Sequence, residues 1–223
     1  MAIRFVKLDS PQPAIDSVVA TLRQHLEAGE RVLWFVTGGS SIALEAKMSQ
    51  QLAGAPLEHL TVTLTDERPG PVGHADSNWR LLAETGFNLP GATLHPVLTD
   101  AGADAEAAAM DRFVADGLDA ADFRFAVFSV GDDGHIAGIP ASDSAEVGNA
   151  LYARYDKGDY HRISVTPAVF GRLDEAVVFI TGEPKRPQFD RFETELPASE
   201  QAAQAAKAVP SLTVFNSFKG EPK

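Results

Sequence analysis

The chain has 223 residues, of which 44% are hydrophobic, a length and composition typical of one globular domain. It contains no cysteine, which excludes disulfide bonds and thiolate metal sites. Acidic residues outnumber basic ones 31 to 19, giving a formal net charge of −12. This balance disfavours nucleic acid and anionic membranes as partners, because both are bound mainly through Lys and Arg.

The first half of the chain alternates predicted strands with predicted helices. Strands are expected where β-branched and aromatic residues form short runs, and helices where apolar residues recur every three or four positions. The run Arg31–Thr37 is nearly all apolar, as in a strand buried on both faces of a parallel sheet. In order, the sequence predicts a strand at Arg4–Leu8, a helix at Pro13–Ala28, a strand at Arg31–Thr37, a helix at Ile42–Leu52, a strand at Leu60–Leu64 and a helix at Ser77–Ala83.

The second half continues the alternation and sets the fold class. We expect an α/β fold, with residues 1–223 forming a single domain whose mostly parallel central sheet is flanked by helices. The order of the strands does not follow from the sequence, but ligands should bind at their carboxyl ends. The predicted elements are a helix at Ala103–Gly117, strands at Phe125–Val130 and Ile163–Thr166, a helix at Pro167–Arg172, a strand at Ala176–Thr181, helices at Pro184–Phe192 and Ser199–Lys207, and a strand at Leu212–Phe215.

The sequence favours a soluble protein. No run of 18 apolar residues occurs, and the first ten residues, MAIRFVKLDS, lack the apolar core of a signal peptide. We therefore expect a cytoplasmic location and no membrane partner. Both a monomer and a homodimer remain open.

The first candidate site segment is Thr37-Gly38-Gly39-Ser40-Ser41, between a predicted strand and a predicted helix. Its glycines allow a ligand to approach the backbone, and the amino end of the helix attracts anions. The segment lacks the GxxxxGK[ST] and GxGxxG patterns, so a nucleotide is disfavoured. The alternative is an ordinary strand–helix turn capped by Ser40.

The second segment is the long polar stretch from Asp66 to Asn78, which begins Asp66-Glu67-Arg68. A loop of this length is usually functional or disordered. Arg68 has the planar, multi-donor head group that suits a phosphate. The alternative is a solvated loop in which Asp66 and Arg68 pair only with each other.

The third segment is Gly131-Asp132-Asp133-Gly134-His135, directly after a predicted strand. Histidine titrates near neutral pH and can take a proton from water and return it. Asp133 could orient the imidazole or take a proton itself. The alternative is a structural histidine. The histidines show no HxxxH or HExxH spacing, so we expect no metal site.

Together these segments resemble the 6-phosphogluconolactonase family, within the wider group that includes glucosamine-6-phosphate deaminase. The matching motifs occur in the family's order over nearly the whole chain. They are the TGGS loop at Thr37–Ser41, the DER motif at Asp66–Arg68, the SN pair at Ser77–Asn78, the GxDGH motif at Gly131–His135, the RIT-type strand at Arg162–Thr166, the GxxK segment at Thr181–Lys185 and the LPAS segment at Leu196–Ser199.

The resemblance implies an enzyme that hydrolyses 6-phospho-D-glucono-1,5-lactone to 6-phosphogluconate, a step of the oxidative pentose phosphate pathway, with a small sugar phosphate as its partner and no cofactor or metal. His135 would be the general base, with Asp133 and Asp66 as further catalytic residues. The substrate phosphate would be held by Gly38, Gly39, Ser40, Ser41, Arg68, Arg162 and Lys185.

The chain departs from the family pattern beside the base. Ser129 stands where the family has a glycine, and the segment after His135 is one residue short. Two functions other than lactone hydrolysis therefore remain open. An amino-sugar phosphate isomerase or deaminase would use His135 and Asp66 for ring opening and proton abstraction; Ile136-Ala137 resembles the deaminases, but Gly138-Ile139-Pro140 lacks their glutamate. A sugar-phosphate sensor would retain the phosphate site without turnover.

Overall fold

The structure is a computed structural model that describes residues 3–141 and 148–220. Ten strands lie within these residues, and the predicted ones occur within a few residues of their expected bounds. The strands are β1 (Ile3–Lys7), β2 (Val32–Val36), β3 (Leu60–Leu64), β4 (Asp66–Glu67), β5 (Thr93–His95), β6 (Phe123–Ser129), β7 (Tyr152–Lys157), β8 (Tyr160–Val165), β9 (Glu175–Ile180) and β10 (Ser211–Asn216).

Six α-helices and four 3₁₀ segments connect the strands in the described part of the chain. The longest helices carry apolar residues three or four positions apart, and those residues are buried. The helices are α1 (Gln12–Glu27), α2 (Ile42–Gln51), α3 (Asn78–Glu84), α4 (Ala103–Ala120), α5 (Pro167–Phe170) and α6 (Arg186–Glu193). The 3₁₀ segments are Gly39–Ser41, Leu57–His59, Glu183–Lys185 and Ala202–Ala208.

Seven of the strands form one parallel sheet in the order β1-β10-β9-β6-β2-β3-β5. From β2 the chain continues outward through β3 and β5, and it then returns to pair β6 with the other side of β2. From β6 the sheet continues through β9 and β10 in the opposite direction. The strand order thus reverses between β2 and β6, and such a reversal opens a crevice at the carboxyl ends of the two strands.

The core of the molecule lies on both faces of this sheet. All five residues of β2 are buried, and Trp34, Phe35, Phe125 and Phe128 are each 0% exposed. In a strand buried on both faces every side chain points into the core, so apolar residues do not alternate with polar ones. The continuous apolar runs therefore place β2 and β6 at the centre of the sheet.

A second, antiparallel sheet of three strands has the order β4-β8-β7. In its register Asp66 lies opposite Ser164, and Glu67 lies opposite Ile163. This pairing brings the segment that follows β3 next to residues almost a hundred positions further along the chain. It thereby positions the second candidate segment beside the strand that carries Arg162.

The α/β class with a mostly parallel central sheet is confirmed. One predicted helix is wrong, and three strands were not predicted. Ser199–Lys207 was expected to be an α-helix, whereas Ala202–Ala208 forms a 3₁₀ segment. A 3₁₀ segment places residues three apart on one face, and Ala203 and Ala206 are both buried. The unpredicted strands β4, β5 and β7 are short or carry charged residues, and none has an apolar run.

Among the described residues, no helix combines the length and the apolar character that crossing a membrane requires.

Candidate active site

A cavity of about 350 Å³ opens at the carboxyl ends of β2 and β6, where the strand order reverses. All three of the candidate segments contribute to its walls. The lining consists of residues 37–40, Asp66, Arg68, Asn78, residues 129–132, His135, Ala137, Arg162 and Lys185.

A larger cavity, of about 520 Å³, lies at the other end of the sheet, beside the first residues of β2 and β3. Its walls are mostly apolar and include Val32, Leu33 and Phe113. Arg31 on its rim is already paired with Asp122, at 2.8 Å. The smaller cavity therefore has the greater density of groups that can bind an anion or transfer a proton.

The loop after β2 depends on a close contact between Gly38 and Asn78. A Cβ atom on Gly38 would lie 2.1 Å from the side-chain Oδ1 of Asn78, so no larger residue fits there without displacing that side chain. Asn78 is held in place because its Nδ2 donates to the carbonyl of Asp66 at 2.9 Å. Ser40 faces the cavity, but Ser41 is buried directly before α2. The expectation that Ser41 contacts the phosphate has no support in its position.

Below this loop lies Glu45, a fully buried carboxyl group on α2. Its Oε1 accepts a hydrogen bond from the backbone N–H of Thr37 at 2.7 Å, while its Oε2 is buried without a partner among the described residues. Burial raises the pKa of Glu45 well above the ordinary value, and the nearby charge of Asp66 adds to this; the Thr37 bond opposes it. The carboxyl therefore favours its neutral form.

His135 and Asp133 form a hydrogen-bonded pair at the end of β6. The imidazole Nδ1 lies 2.6 Å from Asp133 Oδ1, and the same oxygen accepts the backbone N–H of His135 at 3.0 Å. Burial alone would raise the pKa of Asp133, but these bonds and the charge of His135 lower it overall. The imidazole lies against the backbone of Gly131, where a Cβ atom would be 2.1 Å from the ring. With Nδ1 engaged, Nε2 is the nitrogen available for proton transfer.

Asp66 is paired with Arg162 of β8, and not with Arg68. The distance from Asp66 Oδ2 to Arg162 Nε is 3.7 Å, whereas Arg68 Nη1 donates to the carbonyl of Asp76 at 2.8 Å. The alternative of an Asp66–Arg68 pair is therefore wrong. Burial raises the pKa of Asp66 in spite of the opposing charges of Arg68, Arg162 and His135.

Lys185 lines the same cavity as Arg68 and Arg162 and lies among hydroxyl groups. Its Nζ is 3.5 Å from Ser40 Oγ and 3.4 Å from Ser129 Oγ, and these two oxygens are 3.2 Å apart. Burial lowers the pKa of Lys185, and Asp132 partly offsets this effect. A half-buried ammonium group with hydroxyl neighbours is a natural partner for an anion.

The segment from Arg68 to Asn78 is held by the buried carboxylate of Glu67. Its two oxygens accept the side chain of Ser77 at 2.9 Å and the backbone N–H groups of Arg68, Asn78 and Trp79 at 2.7, 2.7 and 3.1 Å. The last two N–H groups belong to the first turn of α3, where a carboxylate also interacts favourably with the helix dipole. Most of this long loop nevertheless has no regular structure.

The structure brings most of the predicted site residues together. One cavity is lined by eight of them, and Asp133 lies behind His135: the eight are Gly38, Gly39, Ser40, Asp66, Arg68, His135, Arg162 and Lys185.

Two residues of the site were not predicted from the sequence. The ring of the first, Tyr160, lies under the Arg162 guanidinium at 4.5 Å and is 6.2 Å from the His135 ring. The sequence offered no signal for it because Tyr160 lies in the polar first half of β8, before the apolar run that predicts the strand. Glu45 was also missed, although an acid on the buried face of a helix is itself unusual.

The fold is shared with proteins of known structure. A 6-phosphogluconolactonase from Shewanella baltica has a TM-score of 0.82 at 21% identity, covering 96% of this chain and 97% of that chain. One from Thermotoga maritima has a TM-score of 0.79 at 20% identity, covering 96% and 98%. A monomeric glucosamine-6-phosphate deaminase has a TM-score of 0.78 at 12% identity, covering 96% and 97%. At these identities the likeness concerns the fold.

Sequence comparison identifies the family. A curated 6-phosphogluconolactonase from Pseudomonas putida is 34% identical over 151 residues, 59% of this chain, and the match spans about half (54%) of that relative's length. A sequence model of the glucosamine-6-phosphate isomerases/6-phosphogluconolactonase family matches residues 9–214. The chain belongs to that family.

The raised pKa of Glu45 predicts how stability depends on pH. Because the folded chain holds this proton to higher pH than the unfolded chain does, the contribution of Glu45 is largest below its ordinary pKa of 4.5 and declines as pH rises towards the raised value. Glu45→Gln keeps the acceptor for Thr37 and removes the titration. Urea unfolding should therefore show the variant gaining stability relative to the wild type between pH 5 and pH 8.

Glu58→Gln, at an exposed position of the 3₁₀ segment before β3, controls for the amide substitution itself. Parallel stability curves for the wild type and Glu45→Gln over this pH range would contradict the assignment of a neutral buried acid.

Proposed function

We propose that this chain hydrolyses 6-phospho-D-glucono-1,5-lactone to 6-phosphogluconate, the lactonase step of the oxidative pentose phosphate pathway. The observation that carries the proposal is the His135–Asp133 pair at 2.6 Å beside a cavity that also holds Lys185, Arg68 and Arg162. A base and an anion site in one cavity fit a substrate that has an ester at one end and a phosphate at the other. The curated relative in Pseudomonas putida carries the same activity in its name.

His135 acts as the general base in this mechanism. Its Nε2 takes a proton from a water molecule whose oxygen attacks the carbonyl carbon of the lactone. The tetrahedral intermediate then collapses as the bond from that carbon to the ring oxygen breaks. The imidazolium returns its proton to the ring oxygen, which becomes the free hydroxyl of the product. Asp133 stabilises the imidazolium and fixes the ring through Nδ1.

The phosphate is held where the loop after β2 meets Lys185. The amino end of α2 supplies a positive dipole, and Ser40 supplies a hydroxyl. Lys185 supplies the charge. Arg68 and Arg162, which line the same cavity, add positive potential, and this matters in a chain whose formal charge is −12.

Asp66 serves to position Arg162. Its buried carboxylate lies 3.7 Å from Arg162 Nε, and Tyr160 packs on the guanidinium at 4.5 Å. Held from both sides, Arg162 keeps its remaining N–H groups available to the substrate. Loss of the Asp66 charge would release this side chain.

Hydrolysis is favoured over an isomerase or deaminase reaction by the wall after His135. In the deaminase-like pattern this wall carries a glutamate, whereas here Gly138, Ile139 and Pro140 are buried and bring no acid to the cavity. Gly138 is instead packed against Ser164 and Arg162, where a Cβ atom would lie 2.7 and 2.8 Å from their side chains. The segment has become structural support for β8.

Replacing His135 tests the base. His135→Ala should lower kcat for 6-phosphogluconolactone by about 100-fold or more, because general-base assistance is of that order. Binding of 6-phosphogluconate should change little. The measurement is stopped-flow hydrolysis above the spontaneous rate, with calorimetry for the product, and glucosamine 6-phosphate is assayed in parallel for ammonia release.

His59→Ala is the matched control, since His59 lies just before β3, at the opposite end of the sheet. Turnover of His135→Ala near the wild-type rate would remove His135 from the mechanism. A wild-type protein that binds 6-phosphogluconate but hydrolyses no lactone would instead be a sensor, and ammonia release would indicate a deaminase.

Replacing Lys185 tests the phosphate site. The wild type should bind 6-phosphogluconate far more tightly than gluconate. Lys185→Met should lower the affinity for the phosphorylated ligand by roughly tenfold, since each 1.4 kcal/mol is tenfold in affinity. The difference should shrink as salt rises, because the cavity is open to solvent. Calorimetry at two salt concentrations measures both effects.

Lys47→Met, on the exposed face of α2, controls for the loss of one positive charge. Equal affinity of the wild type for gluconate and 6-phosphogluconate would show that this cavity is not a phosphate site.

A further inference from the structure

Ser129 is the last residue of β6 and lies at the reversal of the strand order. Its side chain reaches across the crevice to the loop after β2, where its Oγ is 3.2 Å from Ser40 Oγ. It also lies 3.4 Å from Lys185 Nζ. One hydroxyl of β6 thus joins the loop after β2 to the segment after β9.

The contacts of Ser129 and Ser40 with the ammonium group of Lys185 compensate its positive charge only weakly. Its hydrogen bonds among the described residues go to the hydroxyls of Ser40 and Ser129, at 3.5 and 3.4 Å, and both are long. The carboxylate of Asp132 acts on it only from a greater distance. A half-buried cation with two weak neutral acceptors is poorly compensated, and an anion between the three groups would compensate it.

We propose that Ser129 is a phosphate ligand and a specificity-determining residue of this chain. Its hydroxyl, that of Ser40 and the ammonium of Lys185 lie within 3.2 to 3.5 Å of one another and can each donate to a different oxygen of one phosphoryl group. The two hydroxyls turn from accepting the Lys185 protons to donating to the phosphate. The inference deepens the proposed function, on which it rests, by naming a ligand supplied by β6.

The role of Ser129 differs from that of a residue that merely supports the loop. A supporting residue would affect every substrate that enters the cavity. A phosphate ligand affects only phosphorylated ones, and it acts on binding more than on the chemical step. Comparing the effect of a Ser129 variant on kcat/KM for a phosphorylated and for an unphosphorylated substrate therefore separates the two roles.

The first test compares kcat and KM for 6-phosphogluconolactone and for unphosphorylated glucono-1,5-lactone in the wild type, Ser129→Ala and Ser129→Gly. We expect the KM for the phosphorylated lactone to rise about tenfold in both variants. The kcat/KM for the phosphorylated lactone divided by that for the unphosphorylated one should fall by the same factor. Ser211→Ala, at the other end of the sheet, should leave that ratio unchanged. Equal changes for both lactones, or no change, would overturn the proposal.

The second test needs no turnover. Titration with inorganic phosphate, followed by calorimetry, should give an affinity several-fold weaker in Ser129→Ala than in the wild type and in Ser211→Ala. Wild-type phosphate affinity in Ser129→Ala would overturn the role of Ser129 even if the lactonase activity stands. Absence of lactone hydrolysis in the wild type would defeat the proposed function, while the phosphate titration would still decide on Ser129.

Discussion

The buried carboxylate of Glu67 is the contact on which the geometry of the cavity depends. By accepting hydrogen bonds from Ser77 and from the backbone at Arg68, Asn78 and Trp79, it fastens the end of β4 to the first turn of α3. Asn78 is thereby placed against Gly38, where only a glycine leaves room for it. The loop after β2, the end of β4 and the start of α3 are thus fixed by one acid and by the absence of a side chain at Gly38. A charged group buried this way is tolerated because its hydrogen-bonding capacity is satisfied.

The fold class was accessible from the sequence because parallel strands buried on both faces leave continuous apolar runs, as Arg31–Thr37 and Phe125–Val130 do. The loops after these strands were found for the same reason. The antiparallel pairing of β4 with β8 was not, since β4 has two residues, both acidic, and β8 begins with Tyr160-His161-Arg162. That pairing makes Arg162 the partner of Asp66, and no local pattern carries information about a contact across 96 positions.

The cations of the cavity are divided into two groups with different surroundings. Arg68 and Arg162 lie near the buried carboxylate of Asp66, which compensates part of their charge. Lys185 has hydroxyl groups close by and a carboxylate only further away. Because an anion gains most where positive charge is least compensated, the Lys185 end is the better place for a phosphate and the arginine end the better place for the less charged part of a ligand. The sequence alone had assigned all three cations to the phosphate.

Of the two buried acids near the loop after β2, one stays neutral and so leaves the positive charge of Lys185 uncompensated from this side. Asp66 and Glu45 are close enough for the charge of Asp66 to raise the pKa of Glu45, so the neutral form of one favours the charged form of the other. Asp66 has Arg162 within 3.7 Å to stabilise a charge, whereas Glu45 has one backbone N–H and an oxygen without a partner among the described residues. Glu45 is therefore the acid that keeps its proton. A charged carboxylate bonded to the backbone of Thr37 would oppose the anion that we propose is bound by this loop and Lys185, and the burial of Glu45 keeps its carboxyl neutral.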